Sequence, residues 1–152
     1  MSFKFDRTSL ELLRLLQVNA RASLSALGRQ LGLSAPAVAE RVRKFEEAKL
    51  VTGYHAEVNP TTLGWTVCAF IRLTTTTDKY PRVMALAERL PQIRECHHVA
   101  GSEAFLIKVL AQSVTQLEDV ITQLSPFGQT ATSIVLSSPI VQHVIEPAVP
   151  HD

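Results

Sequence analysis

The stretch LGRQLGLSAPAVAERVRKFEEAKL, residues 27–50, holds two apolar-periodic segments separated only by Gly32, Leu33 and Ser34. A helix cannot pass through such a corner. Gly32 suits a left-handed C-cap, Ser34 a fresh N-cap, and Pro36 sits in a first turn, where a missing N–H costs little. A turn this short containing a glycine fixes two helices at a steep angle and pushes the second out of a compact bundle. Upstream, Asp6 can cap a helix with Leu10, Leu13 and Leu16 on one stripe, widened by Leu12 and Leu15. Ser23 can cap the next, whose Leu24, Leu27 and Leu31 fall at i, i+3, i+7. In the third, Val38, Val42 and Phe45 face inward. Three short amphipathic helices bury their stripes only against one another.

With that face buried, the opposite one carries Ala37, Glu40, Arg43 and Lys44, with Arg41 on its flank. Small residues at the start of such a helix let it seat in a major groove, and Arg and Lys further along reach base edges or phosphates. Charge runs alone usually mean a solvated face, but here the corner, the caps and the local charge balance agree. Residues 1–60 carry nine basic and six acidic side chains, a net of +3, whereas the remainder carries −2. The pattern therefore expects double-stranded DNA as a partner. Ser34, Ala35 and Ala37 are placed nearest base edges. Arg41, Arg43 and Lys44 are expected on bases or phosphates, and Arg21 and Arg29 on the flanking backbone. Leu50 to His55 alternates like a strand and ends at Asn59-Pro60, so a wing or linker strand is expected to lead out.

Beyond residue 65 the period changes. Thr66–Thr74, Ile93–Ala100, Phe105–Ala111 and Thr130–Ser137 read as strands. Pro81–Leu90 and Val114–Leu124, the second capped by Ser113, read as helices. Strand, helix, strand, strand, helix, strand is the order of the ferredoxin-like βαββαβ fold, with Gly101-Ser102-Glu103 turning the central hairpin. The fold class is thus α+β. The domain limits expected are 1–52 for a winged helix-turn-helix domain, 53–64 for a linker strand and 65–152 for the ferredoxin-like domain. Helices cover only one face of such a sheet. Yet the first strand offers Val67, Ala69, Ile71 and Leu73 on one side and Cys68 and Phe70 on the other, and the third offers Phe105, Ile107 and Val109 opposite Leu106 and Leu110. A second copy of the chain is expected to cover the free side, and a two-fold dimer also suits paired DNA half-sites.

At this point the residues resemble the Lrp/AsnC family, the feast/famine transcriptional regulators of bacteria and archaea. The resemblance runs from FDRTSLELLRLLQVNARASLSALGRQLGLSAPAVAERVRKFEEAKLVTGYHAEVNPTTLG through ECHHVAG to the last strand, nearly the whole chain. It implies an N-terminal winged helix-turn-helix joined to a C-terminal domain that senses a small molecule, often an amino acid. It also implies dimers that assemble into tetramers or octamers, with the effector held around His98, Gly101, Ser102, Glu103 and Ala104. The family's hairpin commonly reads Gly-Asp-x-Asp-aromatic, and here Gly101-Ser102-Glu103-Ala104-Phe105 keeps the glycine and the aromatic but neither aspartate. Only Glu103 can then supply a charge to an amino acid's ammonium group, and only if the backbone turns it inward.

Other chemistry is not expected. In Glu95-Cys96-His97-His98, strand alternation leaves two ligands per face, short of the four a structural zinc takes. Gly28, Gly32 and Gly53 occur singly, at expected helix and strand ends and without a phosphate-cradling loop, and no nucleophile turn such as G-x-S-x-G accompanies the serines. No catalytic residue, metal or cofactor is expected, and the protein is read as no enzyme. Two cysteines, Cys68 and Cys96, form no disulfide framework and suit a cytoplasmic protein. Arg72 interrupts the apolar run from Val67 to Leu73, so no membrane span is expected. Two rival readings stand beside the regulator: an architectural DNA-wrapping protein that needs no ligand, and a small-molecule-binding protein built on the ferredoxin-like half. Pro139 to Asp152 reads equally as a strand exchanged between subunits or as a tail.

Overall fold

The computed structural model describes residues 5–148, so the extremities of the expected first and last domains, residues 1–4 and 149–152, lie outside the described residues. The chain divides into two compact units. One runs up to Glu57 and resumes at Ile140; the other is Val58–Pro139.

In the first unit, helices α1 (Arg7–Val18), α2 (Leu24–Leu31) and α3 (Ala35–Glu47) form the bundle. Each start is where the sequence places it, because each cap is a local bond. Asp6 accepts from the Ser9 N–H, Ser23 from Ala26 and Ser34 from Ala37. Leu12, Leu13, Leu16, Leu27, Val38 and Phe45 form the core. Gly32 takes the left-handed conformation at φ 67°, as the corner demands.

Gly28 is not at a helix end. It lies inside α2, buried, and a Cβ there would stand 2.4 Å from the Leu33 carbonyl oxygen. The Leu33 N–H donates to the Gly28 carbonyl at 2.9 Å, so the corner folds back onto the helix at the one position without a side chain. The expected linker strand is absent: Leu50 to Asn59 has no ladder partner among the described residues and includes no strand. Alternating side chains make a strand only where a second backbone supplies the other half of the ladder.

In the second unit, β1 (Val67–Thr75), α4 (Tyr80–Arg89), β2 (Ile93–His98), β3 (Phe105–Ala111), α5 (Val114–Leu124) and β4 (Gly128–Ile134) alternate as expected. The sheet is antiparallel in the order β2-β3-β1-β4, the ferredoxin-like arrangement. β3 and α5 have the expected ends. β4 begins two residues early, because Gly128 already pairs with Thr75 at the end of β1. Ala69, Ile71, Leu73, Phe105, Ile107 and Val109 turn to the helices and are buried with Val83, Leu117 and Leu124. On the other face, Cys68 and Phe70 of β1 and Leu106 and Leu110 of β3 are only half-buried.

By compactness, Ile140 and the described residues after it, up to 148, group with the helices. They run along α1 as an extended strap. The Gln17 side-chain amide donates to the Ile145 carbonyl at 3.0 Å, and its oxygen accepts from the Ile145 N–H at 2.9 Å. The carboxamide thus stands in for one rung of a ladder. Arg14 adds an ion pair with Glu146 at 2.7 Å.

Candidate nucleic-acid interface

α3 is presented by the corner behind it. Val38 and Phe45 are fully buried and seat the helix, leaving Glu40, Arg43, Lys44 and Glu47 exposed. Ser34, at the head of the helix, is exposed with its hydroxyl committed to the cap, and Ala35 and Ala37 are half-buried beside it. Arg29 lies exposed in the last turn of α2. Arg21 lies exposed in the turn between α1 and α2, its N–H donating to the Asn19 side chain at 3.0 Å. The eight residues expected at DNA therefore all belong to the helical unit, but they are not equally free to act.

Arg41 is engaged elsewhere. Its Nη1 donates to both carboxylate oxygens of Asp6 at 3.0 Å and to the Ser9 hydroxyl at 2.7 Å, tying α3 to the start of α1. Ser9 is itself buried. The Ser9 hydroxyl and N–H, and then Arg41, hold the Asp6 carboxyl down to about 2. Arg41 thus positions α3 against α1, a role the sequence did not disclose because its partner lies 35 residues away. Arg43 points outward between two carboxylates. Its Nε and Nη2 donate to the two oxygens of Glu40 at 2.9 and 2.7 Å, and its Nη1 to Glu47. Lys44 stands 3.7 Å from Glu40. Glu40 and Glu47 were missed as partners, although their i,i+3 and i,i+4 spacing from Arg43 was the signal.

A second site lies at the β2–β3 turn. His98, Gly101, Ser102, Glu103 and Ala104, the expected effector residues, line a single cavity of about 510 Å³ together with Thr75, Tyr80, Val99 and Ala100. Tyr80, at the start of α4, had no motif to announce it. Its ring stacks edge-on to His98 at 4.8 Å and to Phe105 at 5.0 Å, making an aromatic wall. Ala104 contributes less than expected: its methyl group is buried in the sheet core and its N–H donates to the Leu73 carbonyl at 2.9 Å. Glu103 lines the cavity as a carboxylate. The Ser102 hydroxyl donates to it at 2.7 Å, and this bond, its own backbone N–H and the more distant Arg72 hold its carboxyl below the usual range. On the free sheet face, Glu95 bridges Lys108 at 2.8 Å and His97 at 3.2 Å. Cys96 points the other way, toward the helix side, where burial pushes its thiol up. Among the described residues, no three potential metal ligands gather in one place, and no helix is long and apolar enough to cross a membrane.

Comparison with known proteins decides between the readings. Residues 5–46 match the AsnC-type helix-turn-helix domain and residues 68–145 the Lrp/AsnC ligand-binding domain. The chain is 34% identical to the HTH-type transcriptional regulator LrpC of Bacillus subtilis over 134 residues, 88% of this chain and 93% of that one. The chain belongs to the Lrp/AsnC family.

Members of the Lrp/AsnC family among its relatives are named as transcriptional regulators and not as enzymes. The regulatory protein AsnC of Escherichia coli K12 is 30% identical, with 94% of this chain and 97% of that one covered. The solved structure of B. subtilis LrpC superposes with a TM-score of 0.86 at 32% identity over 92% of this chain and all of that one. The feast or famine regulatory protein from M. tuberculosis, in complex with L-methionine, superposes at 0.82 and 31% identity over 93% of this chain and 100% of that one. This Lrp/AsnC chain is accordingly a helix-turn-helix transcriptional regulator, and its α+β fold is that of the family.

Proposed function

We propose that this regulator reads operator DNA with α3, as a homodimer that assembles further to a tetramer or octamer, under the control of an amino acid bound in the cavity at the β2–β3 turn. The observation that carries the DNA reading is the exposed Arg43 and Lys44 face, standing opposite Val38 and Phe45 beyond a left-handed glycine corner. Ser34, Ala35 and Ala37 lead the helix with side chains small enough for base edges to approach, while Arg21 and Arg29 lie to the flanks. Arg43→Ala tests it in a gel shift. A phosphate contact predicts a similar loss on every duplex and a salt slope smaller by about one unit; a base contact predicts a sequence-dependent loss of about 1–3 kcal/mol. Unchanged retardation would remove α3 from the interface. As a DNA-bound regulator, the protein would work in the cytoplasm.

The dimer reading is supported by the half-buried Cys68, Phe70, Leu106 and Leu110, since α4 and α5 both lie on the other side of the sheet. Replacing Leu106 with Asp should lower the mass seen in sedimentation to that of one chain; an unshifted mass would reject the sheet face as the contact. The amino-acid reading is supported by the Glu103 carboxylate in a cavity walled by Tyr80 and His98, a charge for an ammonium group beside aromatic rings. The M. tuberculosis relative's complex with L-methionine points to the same ligand class. Calorimetry with the twenty amino acids tests this: heat lost in Glu103→Gln supports it, and no heat from any of them ends it.

A further inference from the structure

The outward face of α3 is not a bare cationic surface. Its three basic residues, Arg41, Arg43 and Lys44, are matched by Glu40, Glu46 and Glu47, so the helix as a whole is neutral. Arg41 is spent on Asp6, and Glu46 accepts from the Tyr54 hydroxyl at 2.8 Å. Arg43 and Lys44 remain, and both meet Glu40. Around Arg43 the arrangement is closed: Glu40, one turn before it, accepts in parallel from Nε and Nη2, and Glu47, one turn after it, accepts from Nη1. Every nitrogen of the guanidinium is engaged. Glu40 and Glu47 stand two turns apart on one line of the helix, on the side that would face a duplex.

We infer that Glu40 and Glu47 are specificity-determining residues, sheathing Arg43 so that random DNA gains little from it while a duplex offering a guanine edge at that step does. The inference rests on the reading of α3 as the DNA-contacting helix. Non-specific affinity comes from cations that displace counterions from phosphates. A guanidinium already paired two-for-two with a carboxylate displaces none until that pair opens, and the freed Glu40 carboxylate then faces the phosphates and repels them. Guanine presents O6 and N7 to a guanidinium in the same two-point geometry as the Glu40 carboxylate. The exchange is therefore close to even at a guanine and unfavourable elsewhere. Discrimination arises from the repulsive element as much as from the new contact. The ion pairs also hold Glu40 below the usual carboxylate range, so the sheath stays charged at neutral pH.

The test uses the full chain, a duplex it selects from a random pool, and a scrambled duplex of equal length and base composition, each titrated over a range of salt. Glu40→Gln and Glu47→Gln should each raise affinity for the scrambled duplex, by roughly three- to tenfold at low salt, and steepen its salt slope by up to about one unit. Affinity for the selected duplex should change less, so the ratio between the two falls. In an Arg43→Ala background the gain from Glu40→Gln should shrink, which separates a sheath from simple removal of a negative charge. All three side chains are about half exposed, and matching urea midpoints would confirm an intact fold. The inference is overturned if the glutamine variants weaken both duplexes, raise both equally, or gain as much without Arg43. If Arg43→Ala weakens binding yet neither glutamine variant gains, only the sheath falls. If Arg43→Ala leaves both duplexes bound as before, the assignment of α3 falls and takes the sheath with it.

Discussion

The helical unit and the sheet unit are held by different means. In the sheet unit a continuous apolar layer along β1 and β3 meets α4 and α5, and β3 alternates buried and half-buried residues along its whole length. The helical unit has a core of six side chains and completes its geometry with polar contacts: the Asp6–Ser9–Arg41 knot, the glycine corner and the Gln17 latch on Ile145. A small core resists little by itself. The orientation of α3 therefore depends on a few specific residues, whereas the sheet's shape is distributed over many. Single substitutions should accordingly separate the two units.

The largest effect is expected at Phe45, fully buried where α3 meets the bundle. Phe45→Ala should cost about 3–5 kcal/mol and Ile107→Ala about 2–5 kcal/mol. Hydrogen exchange should show protection lost in α1–α3 with Phe45→Ala while β3 stays protected, and the reverse with Ile107→Ala; equal loss everywhere would erase the distinction. Next come the glycines at close approaches. Gly28→Ala drives a methyl toward the Leu33 carbonyl and Gly128→Ala one toward the Thr74 carbonyl, to 2.4 and 1.9 Å. Each should cost about 1–3 kcal/mol. Only Gly28→Ala should also weaken DNA retardation beyond what the lost stability explains, because it deforms the corner.

Acid sharpens the comparison further. Asp6 is held down to about 2 from its ordinary 3.8, so its folded-state pKa is depressed. The stability it contributes is complete above the ordinary value and disappears as pH falls from about 4 through about 2. The urea midpoint of the helical unit should fall over that window, and Asp6→Asn should flatten the fall. An unaltered slope would mean that the knot is not formed in solution. The smallest effect should be a gain. Lys49, just past the end of α3, is left-handed at φ 57° without being glycine. Lys49→Gly should raise stability by about 1 kcal/mol, read as a higher urea midpoint.

The sequence disclosed whatever is settled within a few residues. Asp6, Ser23, Ser34 and Ser113 cap where they were expected because a cap bonds to an N–H three residues on. Gly32 was legible for the same reason. The residues expected at an effector, named through a resemblance, share a cavity, but Tyr80 and Thr75 join them only because β1 ends and α4 begins beside the hairpin. Leu50 to His55 was not legible in this way: an alternating pattern states which way side chains would point, not whether a neighbouring strand exists. The course of residues 140–148 is not legible in the pattern for a similar reason.

Periodicity, capping and turn chemistry, all short-range, determined by themselves the helix-turn-helix, the order of strands and helices, and the sheet with two apolar faces. Tertiary structure decided which carboxylate each arginine meets: Asp6 across the bundle for Arg41, Glu40 and Glu47 along the same helix for Arg43. It also decided that the strap lies on α1. Those partners depend on where elements come to rest after their apolar faces have closed, and a cation's spacing along the chain carries no record of that.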